Sequence, residues 1–394
     1  MPQLSRRKKI LFASVTCVAV FLCCEVVARM LEHWIPPIQI DYGLGFNEDS
    51  RLFILSDGET GTLITNPAKH VSFADQKFLK RKPADTLRVF LIGGSSVRRL
   101  EDLQLLKEKL EPSKSDTFRQ IEIINAGGSA YGSHRLVKVL IEIINYEPDM
   151  VLIYCGHNEF EEAEQLEWAK LDLMGVNSTL SNSAAFRVFR DGIDRYRIHL
   201  IQTDRERRAL ATIEPSFQWA QGRPDSWRRG TFTDESARER LQSYTANLQL
   251  MVSLCQERKI PIIIGTVPSN LFPNQIWIEF PMKYRPDFDV IGDDYRSEKY
   301  KAASSRFREI LSASPGRHQS SDLENQAIRQ VAASTNIPIA DVEAAIIAAE
   351  PHGVPGEALF DDHCHLNKQG NAILISVFAD QINQLLKTTN RESN

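Results

Sequence analysis

The chain predicts an α/β fold, a parallel sheet covered on both faces by helices. Two observations carry this. Short runs of apolar and β-branched residues recur between residues 87 and 342, with segments of helical apolar period between them, an alternation that belongs to parallel strands joined by helices. Three of the runs end at Gly93-Gly94, Asn125 and Cys155-Gly156, and ligands of open parallel sheets bind outside the carboxyl ends of the strands.

The amino terminus stands apart from that fold. Arg6-Arg7-Lys8-Lys9 precedes an uninterrupted apolar stretch over 10–24, followed by Glu25 and Val26-Val27-Ala28. A helix over 10–28 is near the lower limit of ~17–25 residues for a membrane span. The basic cluster would stay in the cytoplasm, so everything after it would face outward. Residues 1–30 are therefore read as a cytoplasmic tip and an uncleaved signal anchor. The competing reading, a signal peptide cut after Ala28 to release a secreted chain, is disfavoured because Cys23-Cys24-Glu25 makes a poor approach to a cleavage site. Residues 31–85, interrupted by Pro36-Pro37, Pro67 and Pro83, read as an irregular connector that covers one edge of the domain.

From residue 87 the rhythm changes. Residues 87–92 form a compact apolar run ending at two glycines, a buried strand. Helical spacing through Leu103, Leu106 and Leu110 predicts a helix over 101–111. A second strand over 121–124, a helix over 135–146 and a third strand over 150–154 follow. A fourth strand over 260–267 is rich in β-branched residues, a fifth spans 337–342, and Asn367 introduces a closing amphipathic helix over 368–386. The stretch 160–235 breaks the pattern. It opens acidic and turns Arg-rich, and reads as a mostly helical insertion in a domain over 86–390.

The chain has 394 residues, 25% of them charged, and a net charge of -4. That balance gives no reason to expect nucleic acid as a partner. Of six cysteines, Cys17, Cys23 and Cys24 lie in the apolar segment. Cys155, Cys255 and Cys364 are left, an odd number that forms no disulfide framework.

Four segments at or near strand ends carry chemistry: Gly93-Gly94-Ser95-Ser96, Asn125-Ala126-Gly127-Gly128-Ser129-Ala130, Gly156-His157-Asn158-Glu159 and Asp362-His363-Cys364-His365. A Ser after two glycines at a strand-to-helix turn has an exposed hydroxyl and a free backbone N–H. Taken singly this is also what an ordinary turn looks like. A phosphate loop would need a following Lys-Ser/Thr, which is absent. A His three residues after an Asp can place both side chains on one side of a turn, so that the acid orients the base. His363 is a second candidate base, less well placed as the immediate neighbour of Asp362. A tetrahedral intermediate needs preorganised donors. The Asn158 amide and the Ser95 N–H can supply two, and the turn over 127–130 a third.

Taken together and in this order, the segments resemble the SGNH hydrolase superfamily, the GDSL-like lipases and esterases. The resemblance spans about residues 87–388. Gly156-His157-Asn158-Glu159-Phe160 and Val267-Pro268-Ser269-Asn270 are similar to segments of a membrane-anchored bacterial branch. The resemblance implies a flavodoxin-like three-layer α/β/α sandwich with a five-stranded parallel sheet. It implies Ser95 as nucleophile, His365 as base, Asp362 as orienting acid, and an oxyanion hole of Ser95, Ala130 and Asn158, with no metal and no cofactor. Ala130 stands where the family has Gly, and Gly127 or Gly128 would serve if the turn is shifted. The implied partner is an ester-bearing small molecule, lipid or polysaccharide. Alternatives are an O-acyltransferase on an envelope polysaccharide or lipid using the same residues, and a non-catalytic glycan- or protein-binding relative. A metal site from His157, Glu159, Asp362, His363 and His365 matches no familiar ligand spacing.

Overall fold

The structure, a computed structural model, describes residues 5–34, 51–56, 58, 60–70, 72–100, 102–111, 118–162, 183–189, 192–193, 196, 233–271, 285–315, 317 and 319–392. The chain divides into two compact units, Met1–Ser50 with Gln165–Arg208, and Arg51–Glu164 with Ala209–Asn394.

In the first unit, helix α1 (Arg6–Trp34) is long and apolar enough to cross a membrane, a property that a signal sequence shares. It runs past the expected end at Ala28 to within two residues of Pro36-Pro37, the first residues that cannot continue it. Most of its apolar side chains are exposed, but Ala28 is buried. The Glu25 carboxylate accepts hydrogen bonds from Ser183 Oγ (2.7 Å) and from the N–H groups of Ala184 (2.9 Å) and Ala185 (3.0 Å), which open a helical stretch over 184–189. Arg187 grips Glu32 through Nε at 2.7 Å and Nη2 at 2.8 Å. The rest of the expected insertion lies largely outside the described residues.

The second unit is built on a five-stranded parallel sheet of order β5-β4-β6-β7-β8, formed by β4 (Thr86–Gly93), β5 (Gln120–Gly127), β6 (Met150–Tyr154), β7 (Ile262–Gly265) and β8 (Ile339–Ala340). All five strands overlap the expected ones. The sheet is legible because every residue of β4, β6 and β7 is buried, and strands covered on both faces read as unbroken apolar runs. The chain winds from β4 to β5 on one side and then to β6 on the other. The carboxyl end of β4 is therefore the point where strand order reverses, the crevice in which such sheets bind ligands. Gly93 pairs with Gly127 on one flank and with Tyr154 on the other, so the three strand ends lie level.

Helices α2 (Ser95–Arg98), α3 (Leu103–Leu110) and α4 (Ser133–Ile143) follow the first strands, and α5 (Asp234–Glu257) precedes β7. Between β7 and β8 lie three helices beyond those expected: α6 (Arg285–Arg296), α7 (Tyr300–Ala313) and α8 (Asp322–Thr335). Then come α9 (Val342–Ala349) and α10 (Lys368–Glu392). Helices α4, α5 and α8 pack together in one layer, and α3, α9 and α10 in another. Ser321 and Glu324 form a reciprocal cap at the start of α8, the Ser-x-x-Glu signature of a helix start.

The expected irregular connector is corrected. Residues 51–79 hold an antiparallel meander of β1 (Phe53–Leu55), β2 (Thr62–Thr65) and β3 (Lys77–Leu79). Strands of three or four residues give too little alternation to be read. The meander is held by tertiary contacts instead. Phe53, Phe78, Phe90 and Tyr146 form an edge-to-face cluster. Arg88, wholly buried within β4, donates to Leu79 O and Tyr146 O, both at 2.7 Å, and pairs with Glu122.

Glu142 of α4 closes this junction. Its carboxylate accepts from Leu52 N (2.7 Å), Phe53 N (2.9 Å) and Tyr146 Oη (2.9 Å). Leaving a buried donor unsatisfied costs about 1–3 kcal/mol. Glu142→Ala is expected to lower the stability of the full chain by about 2 kcal/mol or more in denaturant unfolding, with Glu142→Gln losing less. Equal stabilities of wild type and Glu142→Ala would overturn this role.

Candidate active site

Ser95 is the first residue of α2, directly after β4. Gly94 before it is required by close approach, because a Cβ there would lie 2.4 Å from Asn158 Nδ2. Ser95 Oγ lies 2.8 Å from His365 Nε2, and His365 Nδ1 lies 2.6 Å from Asp362 Oδ2. The other Asp362 oxygen, Oδ1, accepts from Cys364 N (2.9 Å) and His365 N (2.7 Å). One carboxylate thus folds the turn with one oxygen and orients the imidazole with the other, a physical reason for the Asp-x-x-His spacing. Burial pushes the Asp362 carboxyl up. The hydrogen bond and charge of His365, the Cys364 N–H and the His363 imidazole outweigh burial and hold it well below the usual carboxylate range. His363, the second candidate, stands 3.9 Å from Asp362 Oδ1 and outside this line.

The expected oxyanion donors converge from three strand ends. Asn158 is buried after β6 and donates from Nδ2 to Tyr131 O at 3.1 Å. Its amide therefore reaches across to the second segment instead of capping its own turn, and one amide hydrogen is left over. In the second segment the open choice narrows. Gly127 N donates to Asn125 Oδ1 and Gly128 N to Gly93 O, both at 2.9 Å. The N–H groups of Ala130 and Ser95 have no partner among the described residues. Ala130 has φ 61°, the left-handed conformation that favours glycine, so the turn keeps the glycine geometry and carries the methyl.

Several positioning residues were not legible as such. Asn125 donates to Val97 O at 2.8 Å and so ties the second segment to α2. Asn270 of the Val-Pro-Ser-Asn segment donates through its N–H to His363 O and through Nδ2 to Asp362 O, both at 3.1 Å, bracing the acid–base turn. Glu159, in the third segment, accepts from Ser133 N (2.8 Å) and Ser133 Oγ (2.7 Å) at the start of α4. Glu162 accepts from the N–H groups of Gly132, His134 and Arg135 at 2.9–3.0 Å. Arg135 and Arg240 neutralise this pair of carboxylates, and Arg135 also donates to Ala130 O. Burial and the neighbouring Glu162 push the Glu159 carboxyl up, against Arg240 and the Ser133 bonds.

None of the six cysteines is joined in a disulfide. Among the described residues, Asp362, Cys364 and His365 form a group able to hold a metal ion, their ligand atoms all within 4.8 Å of one another. His157 is buried and accepts from Ser320 N through Nδ1 at 3.0 Å, which leaves its proton on Nε2, an atom with no partner among the described residues. Burial, helped by the imidazoles of His365 and His363 and opposed by Asp362, pushes His157 down to about 3.

No family model and no curated protein matches the chain. Among solved structures, the chain is similar to a GDSL-like lipase from Bacteroides thetaiotaomicron at 13% identity, with 77% of this chain and 89% of that one covered and a TM-score of 0.37. A lipase/acylhydrolase from Enterococcus faecalis matches at 14% identity, 75% and 95% coverage and a TM-score of 0.36. An acetylxylan esterase from Geobacillus stearothermophilus matches at 16% identity, 75% and 93% coverage and a TM-score of 0.36. Likeness at this level assigns nothing to this chain.

The neutral His157 makes stability depend on pH. An unfolded histidine titrates near ~6.5, whereas the folded one stays neutral down to about 3. Between these values the unfolded state binds the extra proton, so the stability tied to this residue is complete above the unfolded value and is lost as pH falls towards the folded one. Relative to His157→Asn, the wild type is expected to lose about 2 kcal/mol between pH ~8 and pH ~5 in denaturant unfolding. A difference between the two proteins that does not change with pH would overturn the assignment.

Proposed function

We propose that the chain is a serine-dependent hydrolase of ester bonds of the SGNH type, with Ser95 as nucleophile, His365 as general base and Asp362 as the acid that orients it. The observation that carries this reading is the line of hydrogen bonds from Ser95 Oγ through His365 to Asp362, set beside the unspent N–H groups of Ser95 and Ala130 and the second amide hydrogen of Asn158. In the first step His365 Nε2 takes the Ser95 proton as Oγ bonds to the ester carbonyl carbon, and the carbonyl electron pair becomes an oxyanion. The three donors hold that oxyanion, and each such donor is worth ~10²–10³ in rate. The ionised Asp362 stabilises the imidazolium, which then protonates the departing alcohol. Water attacks the acyl-enzyme with His365 again as base, and the acid leaves as Ser95 recovers its proton.

The ester-bearing partner is a small molecule, a lipid or a polysaccharide. We propose further that α1 is an uncleaved signal anchor holding the enzyme on the outer side of the cytoplasmic membrane. The helix continues without a break through Ala28, and Glu25 and Glu32, on either side of that residue, bind the same segment over 183–187. Cutting after Ala28 would divide these two attachments.

Ser95→Ala is expected to lower kcat/KM for short-chain ester hydrolysis by about 10⁴-fold or more with the fold intact by circular dichroism. Retained turnover in the purified variant would sink the assignment. Intact mass spectrometry of the chain recovered from the membrane fraction should show the residues before Arg29 still attached, and a mature chain beginning at Arg29 would refute the anchor.

A further inference from the structure

We infer that Asp362, Cys364 and His365 form an inhibitory site for a thiophilic divalent cation such as Zn²⁺. The inference rests on the hydrolase reading for its consequence, but not for the binding itself.

The ligand geometry carries it. Cys364 Sγ lies 3.5 Å from His365 Nδ1. A tetrahedral zinc with Zn–S about 2.3 Å and Zn–N about 2.0–2.1 Å separates its sulfur and nitrogen ligands by about 3.5 Å. Those two atoms already stand at the distance that the ion requires. Asp362 Oδ2 is 2.6 Å from the same nitrogen, and a swing of under ~1 Å opens that separation to a tetrahedral edge. All three side chains come from one turn of four residues, held by Asn270 and by the backbone bonds to Asp362 Oδ1, so little chain is left to be ordered by the ion. Cys364 and His365 are mostly covered, and Asp362, 31% exposed, offers the approach from solvent. Arg99 faces Asp362 at 3.8 Å and opposes a cation there, but it is 58% exposed and free to swing into water.

The chemistry balances with one proton released. The Cys364 S–H bond breaks, its electron pair goes to the metal and its proton to the solvent. His365 coordinates through Nδ1, so its single proton must sit on Nε2. In that tautomer Nε2–H donates to Ser95 Oγ and cannot accept the serine proton. The Asp362 oxygen that oriented the imidazole is spent on the ion as well. One cation therefore removes both the base and its orienting acid, without touching the nucleophile. A thiolate, an imidazole and a carboxylate favour Zn²⁺, Cd²⁺ or Co²⁺ over Mg²⁺ and Ca²⁺.

The test uses the full chain in detergent. Co²⁺ is titrated into the Ser95→Ala variant, in which binding is read without activity. The expected result is a thiolate-to-cobalt charge-transfer band that saturates at one ion per chain, is displaced by Zn²⁺ and is absent from Ser95→Ala/Cys364→Ala. No band, or a band of equal strength in the double variant, would overturn the site. In the Ser95 protein, micromolar Zn²⁺ should slow ester turnover at least ~10-fold, reversibly with chelator, whereas Mg²⁺ should not. Cys364→Ala and Cys364→Ser should each abolish the zinc response, and inhibition that survives both would refute the proposal. A Ser95 protein with no esterase activity at all would count against the hydrolase reading, and the cobalt band would still decide the metal site.

Discussion

The second unit depends on a buried knot of charge at the start of α4. Glu159 and Glu162, both nearly or fully buried, together accept from four consecutive backbone N–H groups, those of residues 132–135. A helix start is where such donors lack partners and where negative charge is favoured. Two carboxylates in so small a space repel each other, and they persist because Arg135 and Arg240 enter with them. Removing one partner of such a group leaves an uncompensated buried charge, at a cost of roughly 3–5 kcal/mol. The knot joins the turn after β6, the start of α4 and the helix that follows the insertion. None of the three can move without breaking it.

That joint explains the geometry beside it. Asn158 immediately precedes Glu159, and Ala130 and Tyr131 lie just before the helix start that the carboxylates cap. Arg135 reaches back to the Ala130 carbonyl and stacks on the Tyr131 ring at 4.2 Å. The Ala130 φ of 61° is disfavoured for a residue with a Cβ, and the fixed flanks hold it there. What results is a set of N–H donors without partners among the described residues, which is what the proposed oxyanion hole requires.

The parts of this arrangement legible in the residues were those set by local rules. Strands β4, β6 and β7 were readable because burial on both faces demands uninterrupted apolar runs. The Asp-x-x-His turn was readable because its hydrogen bonds close within four residues. The meander over 53–79 was not, since its strands are three or four residues long and owe their pairing to Glu142, Arg88 and an aromatic cluster from distant positions. The role of Glu159 was not legible for the same reason. A glutamate in a turn looks alike whether its partner is a metal, water or a helix start 26 residues back in the chain.

The sequence by itself determined the sheet and the apolar amino-terminal helix, and it placed Ser95, Asp362, His365 and Asn158 as candidates at or near the ends of strands. These rest on period, on turn chemistry and on residue type, which are properties of neighbours in the chain. Only the tertiary structure decided which N–H of the second segment is unspent. Gly127 is committed to the Asn125 side chain and Gly128 to Gly93 of the neighbouring strand, and Ala130 is not, a distinction that the folded turn and its pairing with β4 create together. It also decided that Cys364 sits against the imidazole of His365. Adjacency in sequence sets how far apart two side chains can be, but the packing of the turn sets whether they meet.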